Sequence, residues 1–149
     1  MNRRIAVSLL IVVSVVVLDQ VTKYLARTHI QPFESIQVLP VLNLVNVQNR
    51  GAAFGMFRSL GNSFFIGISI AAIAFMAWVI VKDREDHRIF SLLAGGAAGN
   101  LVDRVALGHV VDFVDVTVRG YHWPAFNVAD SSLSVGMLLM LISILKRRH

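Results

Sequence analysis

The chain has 149 residues, 56% of them hydrophobic and 15% charged, whereas an ordinary soluble domain carries about 25% charged residues. It contains no cysteine, which excludes disulfides, thiolate nucleophiles and Cys-ligated metals. The net charge of +5 does not point to nucleic acid, because the Lys and Arg residues sit between long apolar runs, as they do in membrane proteins.

The length allows one domain, residues 1–149, and no stretch is rich in Pro or Ser, low in complexity or repeated. Four segments approach the roughly 20 apolar residues that cross a bilayer. They run over about residues 5–26, 60–81, 89–107 and 128–145. The first follows Arg3 and Arg4 as a signal peptide would, but a cut after Ala26 puts Tyr24 where a small residue is needed, so an uncleaved anchor is expected. The fold class is an all-α membrane protein of four transmembrane helices with a small β-containing segment on the outer surface.

Four spans place both termini on one side. Arg3, Arg4, Lys82, Arg84, Arg88, Lys146, Arg147 and Arg148 crowd into three short segments there, while Lys23, Arg27, Arg50, Arg58, Arg104 and Arg119 lie on or near the other side. The positive-inside bias puts both termini in the cytoplasm. Between the first two spans, Leu42 to Val47 reads as a strand, and so does Val110 to Val118 after the third span. Together they predict a small sheet on the outer surface, with Tyr121 and Trp123 at that interface and Trp78 near the inner one.

Charge inside a span is costly and marks function by default. At 1.5 Å per residue, Asp19 lies roughly 21 Å up the first span, Asn100 and Asp103 about 17 and 21 Å up the third, and Asp130 about 22 Å up the fourth. Asp112 follows the third span closely enough to fold back to that level. Plain structural roles exist for Asp19, Asp103 and Asp130. Asp19 and Lys23 are four apart and can pair on one helix face. Asp103 can pair with Arg104, and Asp130, before Ser131 and Ser132, can cap the fourth helix. Four aspartates meeting at one depth, in the outer third of the bilayer, favour a site.

The histidines His29, His87, His109, His122 and His149 have no partner at metal-ligand spacing, which argues against a zinc peptidase and for a site without metal or other cofactor. Ser131 and Ser132 have no His or Lys base at their depth. A carboxylate pair remains. Two close carboxyls share one proton, so the ionised one can take a proton from water while the protonated one polarises a carbonyl.

Five motifs now fall in order along nearly the whole chain: Asp19 with Lys23, Asn49-Arg50-Gly51-Ala52-Ala53-Phe54-Gly55, Gly99-Asn100-Leu101-Val102-Asp103-Arg104, Val110-Val111-Asp112-Phe113 and Phe126-Asn127-Val128-Ala129-Asp130. Together they resemble the lipoprotein signal peptidases, or signal peptidase II. The resemblance implies an aspartic endopeptidase of the bacterial cytoplasmic (inner) membrane, with its active site near the outer face. Such an enzyme cuts lipid-modified prolipoproteins before the diacylglyceryl cysteine, works among membrane lipids and is inhibited by globomycin. It implies a catalytic dyad of Asp112 and Asp130. Asn49, Asn100, Arg104 and Asn127 would line the site and hold the dyad and the substrate backbone, with Asp19, Lys23, Gly51 and Asp103 in support.

The residues fit those roles. Asp103 has Arg104 beside it, which favours a fixed ionised state, whereas Asp112 lies in an apolar strand where a shared proton is easier to keep. Asp115 points to the other face of that strand and falls outside the site. Asp130, near the start of its helix, is biased toward ionisation by the helix dipole, though a coupled pair titrates as a pair. Gly95 and Gly99 allow close helix packing. Gly51 and Gly55 read equally well as a flexible turn or as a backbone that approaches substrate. Phe54, Met56 and Phe57 suggest an amphipathic lid. The rival reading as a transporter or proton channel predicts polar residues along a path to the cytoplasm, where the spans offer only small hydroxyls such as Ser8, Ser91 and Ser143. A second rival is a membrane chaperone, which would tolerate loss of the carboxylates.

Overall fold

The computed structural model describes residues 2–51, 58–82 and 86–147. The suggested lid residues Phe54, Met56 and Phe57, and the second half of the Asn49–Gly55 motif, lie outside the described residues. In chain order the elements are α1 (Arg3–His29), β1 (Ser35–Leu39), β2 (Leu42–Asn49), a 3-10 turn (Arg58–Leu60), α2 (Gly61–Lys82), α3 (His87–Leu107), β3 (Val110–Val118), β4 (Tyr121–His122) and α4 (Val128–Arg147). All four predicted apolar segments are helical. By length and composition α1, α2 and α4 are able to cross a membrane. Helix α3 is of similar length, but Asn100, Asp103 and Arg104 interrupt its apolar run and leave it no stretch as apolar as theirs.

The helices are polar inside and apolar outside. Leu10, Trp78 and Leu138 are each more than half exposed, whereas Asp19, Lys23, Asp103 and Asn127 are buried. A water-soluble protein would invert that arrangement. Helix α3 is central and packs along α1, α2 and α4. Its glycines make this possible. A Cβ on Gly95 would stand 2.8 Å from Val15 Cβ, and one on Gly96 would stand 2.6 Å from the Ala129 carbonyl oxygen. One on Gly99 would stand 2.6 Å from Asp19 Oδ2. The small residues bring α1 and α4 against α3 at the depth of the carboxylates. Lower down, Met76, Ile80, Leu93 and Ala94 form an apolar core between α2 and α3.

The outer segments form one antiparallel sheet in the order β1-β2-β3-β4. The two predicted strands are there, with β2 extending to Asn49. The short flanking strands β1 and β4 carry weaker signals. The β3–β4 hairpin turns on Arg119 and Gly120, with φ of 51° and 81°, the left-handed pair of a tight primed turn. Beyond it the chain returns across the sheet through the Val114–Phe126 bridge and enters α4. Asn49 sits opposite Val110 and Val47 opposite Asp112, so Asn49 and Asp112 are diagonal neighbours on one face.

The glycine contacts give a direct check on α3. Replacing Gly96 with Ala drives a methyl into the backbone of α4 and is expected to destabilise the fold by about 1–3 kcal/mol. Gly67→Ala, where nothing lies within 4 Å, is expected to change stability by less than about 0.5 kcal/mol. Thermal unfolding of both variants in detergent checks this; equal midpoints would rule out the tight α3–α4 contact.

Candidate active site

The start of α4 builds one side of the site. Asn127 Oδ1 accepts the Asp130 backbone N–H at 2.8 Å, and Asp130 Oδ2 accepts the Asn127 backbone N–H at 3.3 Å. This is a reciprocal capping box in which Asn127 is the cap and Asp130 completes it. The sequence had offered Asp130 as the cap.

Asn127 also reaches the sheet. Its Nδ2 donates to Asp112 Oδ1 at 2.7 Å, with Val111 O and Asn100 Oδ1 each at 3.3 Å. The other oxygen of Asp112 accepts from Asn49 Nδ2 at 3.0 Å. Asn100 Nδ2 donates to Asp130 Oδ1 at 2.8 Å. Strand, helix and cap thus hold two carboxylates at one place, each fixed by asparagine amides.

Behind them lies a buried charge cluster. Lys23 Nζ is 2.8 Å from Asp19 Oδ2 and 3.1 Å from Asp103 Oδ2, and it donates to Asn100 Oδ1 at 2.9 Å. Its three protons therefore have three acceptors. Asp19 Oδ1 accepts the Ala129 N–H at 2.8 Å, one of the N–H groups that the first turn of α4 cannot satisfy itself. Asp103 Oδ2 accepts the Val111 N–H at 2.9 Å, tying α3 to β3. Asp103, for which the adjacent Arg104 was one available partner, engages Lys23. Arg104 donates through its Nη2 to Gly51 O at 2.7 Å and lies 4.4 Å over the Phe65 ring, a cation–π contact. Gly51 N–H donates to Asn49 Oδ1 at 3.0 Å.

Every residue singled out from the sequence as catalytic or supporting is in this assembly. Two others were missed. Gln20 Nε2 bridges Asp103 Oδ1 at 3.0 Å, the Gly99 carbonyl at 3.1 Å and Asp19 Oδ2 at 3.2 Å. Asn62 Nδ2 donates to the Arg104 carbonyl at 2.8 Å. An uncharged amide in an apolar run was the available signal for Gln20.

The carboxylates open on a groove of about 700 Å³. Asn49, Gly51, Asn100, Arg104, Asp112 and Asp130 form its polar end. Leu133, Val135 and Met137 of α4 and Trp123 and Phe126 after the hairpin form apolar walls. Asp112, on β3, has its carboxyl pushed up to about 7 by burial and by the Asp130 carboxylate, against the lowering effect of Asn49, Asn127 and Lys23. Its ordinary value is 3.8. Asp115, on the opposite face, lies apart. Burial alone would raise it, but hydrogen bonds from Asn43, His122 and Thr117 outweigh burial and hold it below its usual range. Among the described residues no group of three or more His, Asp or Glu side chains is gathered so as to hold a metal ion.

The sequence pattern of the family described as signal peptidase (SPase) II matches residues 11–146. A lipoprotein signal peptidase of Thermodesulfovibrio yellowstonii is 45% identical over 133 residues, covering 89% of this chain and 90% of that protein. The lipoprotein signal peptidase of Staphylococcus aureus strain MRSA252 is 43% identical over 148 residues, covering 95% and 90%. A bacterial membrane enzyme solved by the in meso method at 2.3 Å resolution superposes with a TM-score of 0.88 at 41% identity, over 95% of this chain and 89% of that one.

The raised Asp112 carboxyl has a consequence for stability. Folding favours its protonated form, so its contribution is complete below the ordinary carboxylate range. That contribution is lost as pH rises toward about 7, by up to about 1.4 kcal/mol per pH unit. Asp112→Asn cannot ionise. The variant is expected to gain stability relative to the unmodified protein between about pH 4.5 and 7.5, read from unfolding midpoints. A difference that stays constant with pH would contradict the burial of Asp112 as an acid.

Proposed function

The chain belongs to the signal peptidase II family, and from that premise we propose that it is an intramembrane aspartic endopeptidase. It removes signal peptides from bacterial prolipoproteins by cutting before the diacylglyceryl-modified cysteine. The observation that carries the catalytic type is the pair Asp112 and Asp130, brought from a strand and a helix onto the single side chain of Asn127 at the polar end of an apolar groove.

Asp130 takes the part of general base. It sits in the first turn of α4, where the helix dipole favours negative charge, and its Oδ1 accepts from Asn100. Asp112, whose carboxyl is pushed up to about 7 by burial and by Asp130, is the acid. A water placed between them gives a proton to Asp130 as its oxygen attacks the scissile carbonyl carbon, while the Asp112 proton moves onto the carbonyl oxygen. When the tetrahedral diol collapses, the C–N bond breaks, the leaving amine takes the proton from Asp130, and a diol proton returns to Asp112. No covalent intermediate forms.

The groove suits an acylated peptide. Leu133, Val135 and Met137 offer apolar contact along α4, while Arg104 and the asparagines face the peptide backbone. In this reading α3 crosses the bacterial inner membrane beside α1, α2 and α4, both termini are cytoplasmic, and the sheet lies at the outer face. A lipidated cysteine then meets the dyad without its acyl chains leaving the outer leaflet. Globomycin would compete for the same groove.

The test uses purified protein in detergent with a diacylated prolipoprotein, with and without chelator. Cleavage before the lipidated cysteine is expected to survive chelator, to stop with globomycin, and to fall by about 10²–10⁴-fold in Asp112→Asn and in Asp130→Asn. Cleavage that persists in both folded variants would sink the dyad. Binding of substrate without cleavage by the unmodified protein would sink the peptidase reading.

A further inference from the structure

Asn100 stands between two groups of opposite charge. An ammonium can only donate hydrogen bonds, so the 2.9 Å contact from Lys23 Nζ fixes the oxygen of the Asn100 amide toward Lys23. The amide nitrogen is thereby turned to Asp130 Oδ1, 2.8 Å away. Asn127 Nδ2 supports the same orientation only weakly, at 3.3 Å, because it is shared with Asp112 and the Val111 carbonyl. Lys23 is 1% exposed, and it is not among the described residues that line the groove. It therefore does not meet substrate, and it acts on the reaction through the field that lowers Asp112 and through what it holds.

We infer that Lys23 is a positioning residue: by locking the Asn100 amide with its N–H toward Asp130, it selects Asp130 as the proton-accepting member of the pair. The inference rests on the aspartic peptidase reading above and adds to it the device that breaks the symmetry between two aspartates.

The charged groups around Asp130 leave this route open. From α1 come Asp19 and Lys23, from α3 Asp103 and Arg104, and from β3 Asp112. Asp19 and Asp103 are both engaged by Lys23, and Arg104 Nη2 is engaged by the Gly51 carbonyl. Without the ammonium, nothing charged prevents the Asn100 amide from turning its oxygen to Asp130. A protonated Asp130 can donate to that oxygen, but an ionised one is repelled by it. The effect of losing Lys23 is therefore greatest at low pH and fades once the solution is alkaline enough to ionise Asp130 regardless.

The experiment compares Lys23→Met, and the double variant Lys23→Met with Asp19→Asn, against the unmodified protein. The double variant leaves the cluster's net charge unchanged. The amide oxygen that Asp19→Asn introduces can still accept the Ala129 N–H, so this variant guards against loss of fold. Cleavage of a diacylated prolipoprotein is followed from about pH 5 to 9. The expected result is an acid limb of the pH–kcat profile displaced upward by about one pH unit. On that limb kcat falls by up to about tenfold relative to the unmodified protein, and the deficit closes as pH rises, while KM changes by less than about twofold. A folded double variant whose kcat drops by the same factor at every pH, or whose acid limb does not move, overturns the inference and leaves the dyad standing. Cleavage that survives both Asp112→Asn and Asp130→Asn removes the peptidase reading and this inference with it.

Discussion

The Lys23 ammonium lies at the junction of α1, α3 and the start of α4, in contact with Asp19, Asp103 and Asn100. Burying charge costs several kcal/mol per ion unless each group finds partners, and removing one partner from a buried pair is more damaging than the pair is stabilising. Here the partners belong to different elements. Asp19 caps a free N–H of α4, and Asp103 receives a backbone N–H from β3. Lys23 itself joins α1 to α3, its carboxylate partners carry the link on to α4 and β3, and the position of the site follows from that assembly.

The apolar surroundings make this polar centre both possible and specific. Helix–helix association in a bilayer has little hydrophobic driving force and relies on close packing and polar contacts. The glycines of α3 supply the close packing. Gly99 leaves room for the Asp19 carboxylate itself, and Gly96 lets α4 approach at Ala129. A methyl at either place would push α1 or α4 outward and lengthen the contacts at Lys23 and Asn127. The small residues and the charged ones thus form one device: the first permit the approach that the second require.

Much of this was legible in the sequence because the membrane limits the alternatives. Four apolar runs gave four helices with boundaries close to those found, and carboxylates placed by helical rise alone met at one depth. Alternation along Val110–Val118 separated Asp112 from Asp115, and the structure gives them different partners. What was illegible depended on contacts distant in sequence. Nothing local told whether Asp103 would pair with the adjacent Arg104 or, as found, with Lys23 on another helix. The cap of α4 was assigned to Asp130 when Asn127, earlier in the same turn, takes it, because capping preferences hardly separate Asp from Asn. Gln20 passed unnoticed beside a charged neighbour, and the short strand β1 lies exposed at the sheet edge, where burial leaves no alternating pattern to read.

Asn127 shows how these levels converge on chemistry. Proton sharing between two carboxyls is sensitive to their separation, and the two candidates stand on elements of different kinds, a strand and a helix. Those elements would drift relative to one another unless something rigid joined them. Asn127 is fully buried, and its planar amide donates to Asp112 at one end and accepts from the Asp130 backbone at the other. One amide plane therefore links the strand carboxylate to the first turn of the helix, beside the backbone hydrogen bonds between Val114 and Phe126 that bring the chain into α4. The same residue starts α4, so the helix dipole and the capping geometry arrive already aligned with the pair. A longer, more flexible side chain of similar polarity would still make hydrogen bonds at this position but would hold the strand and the helix less firmly together.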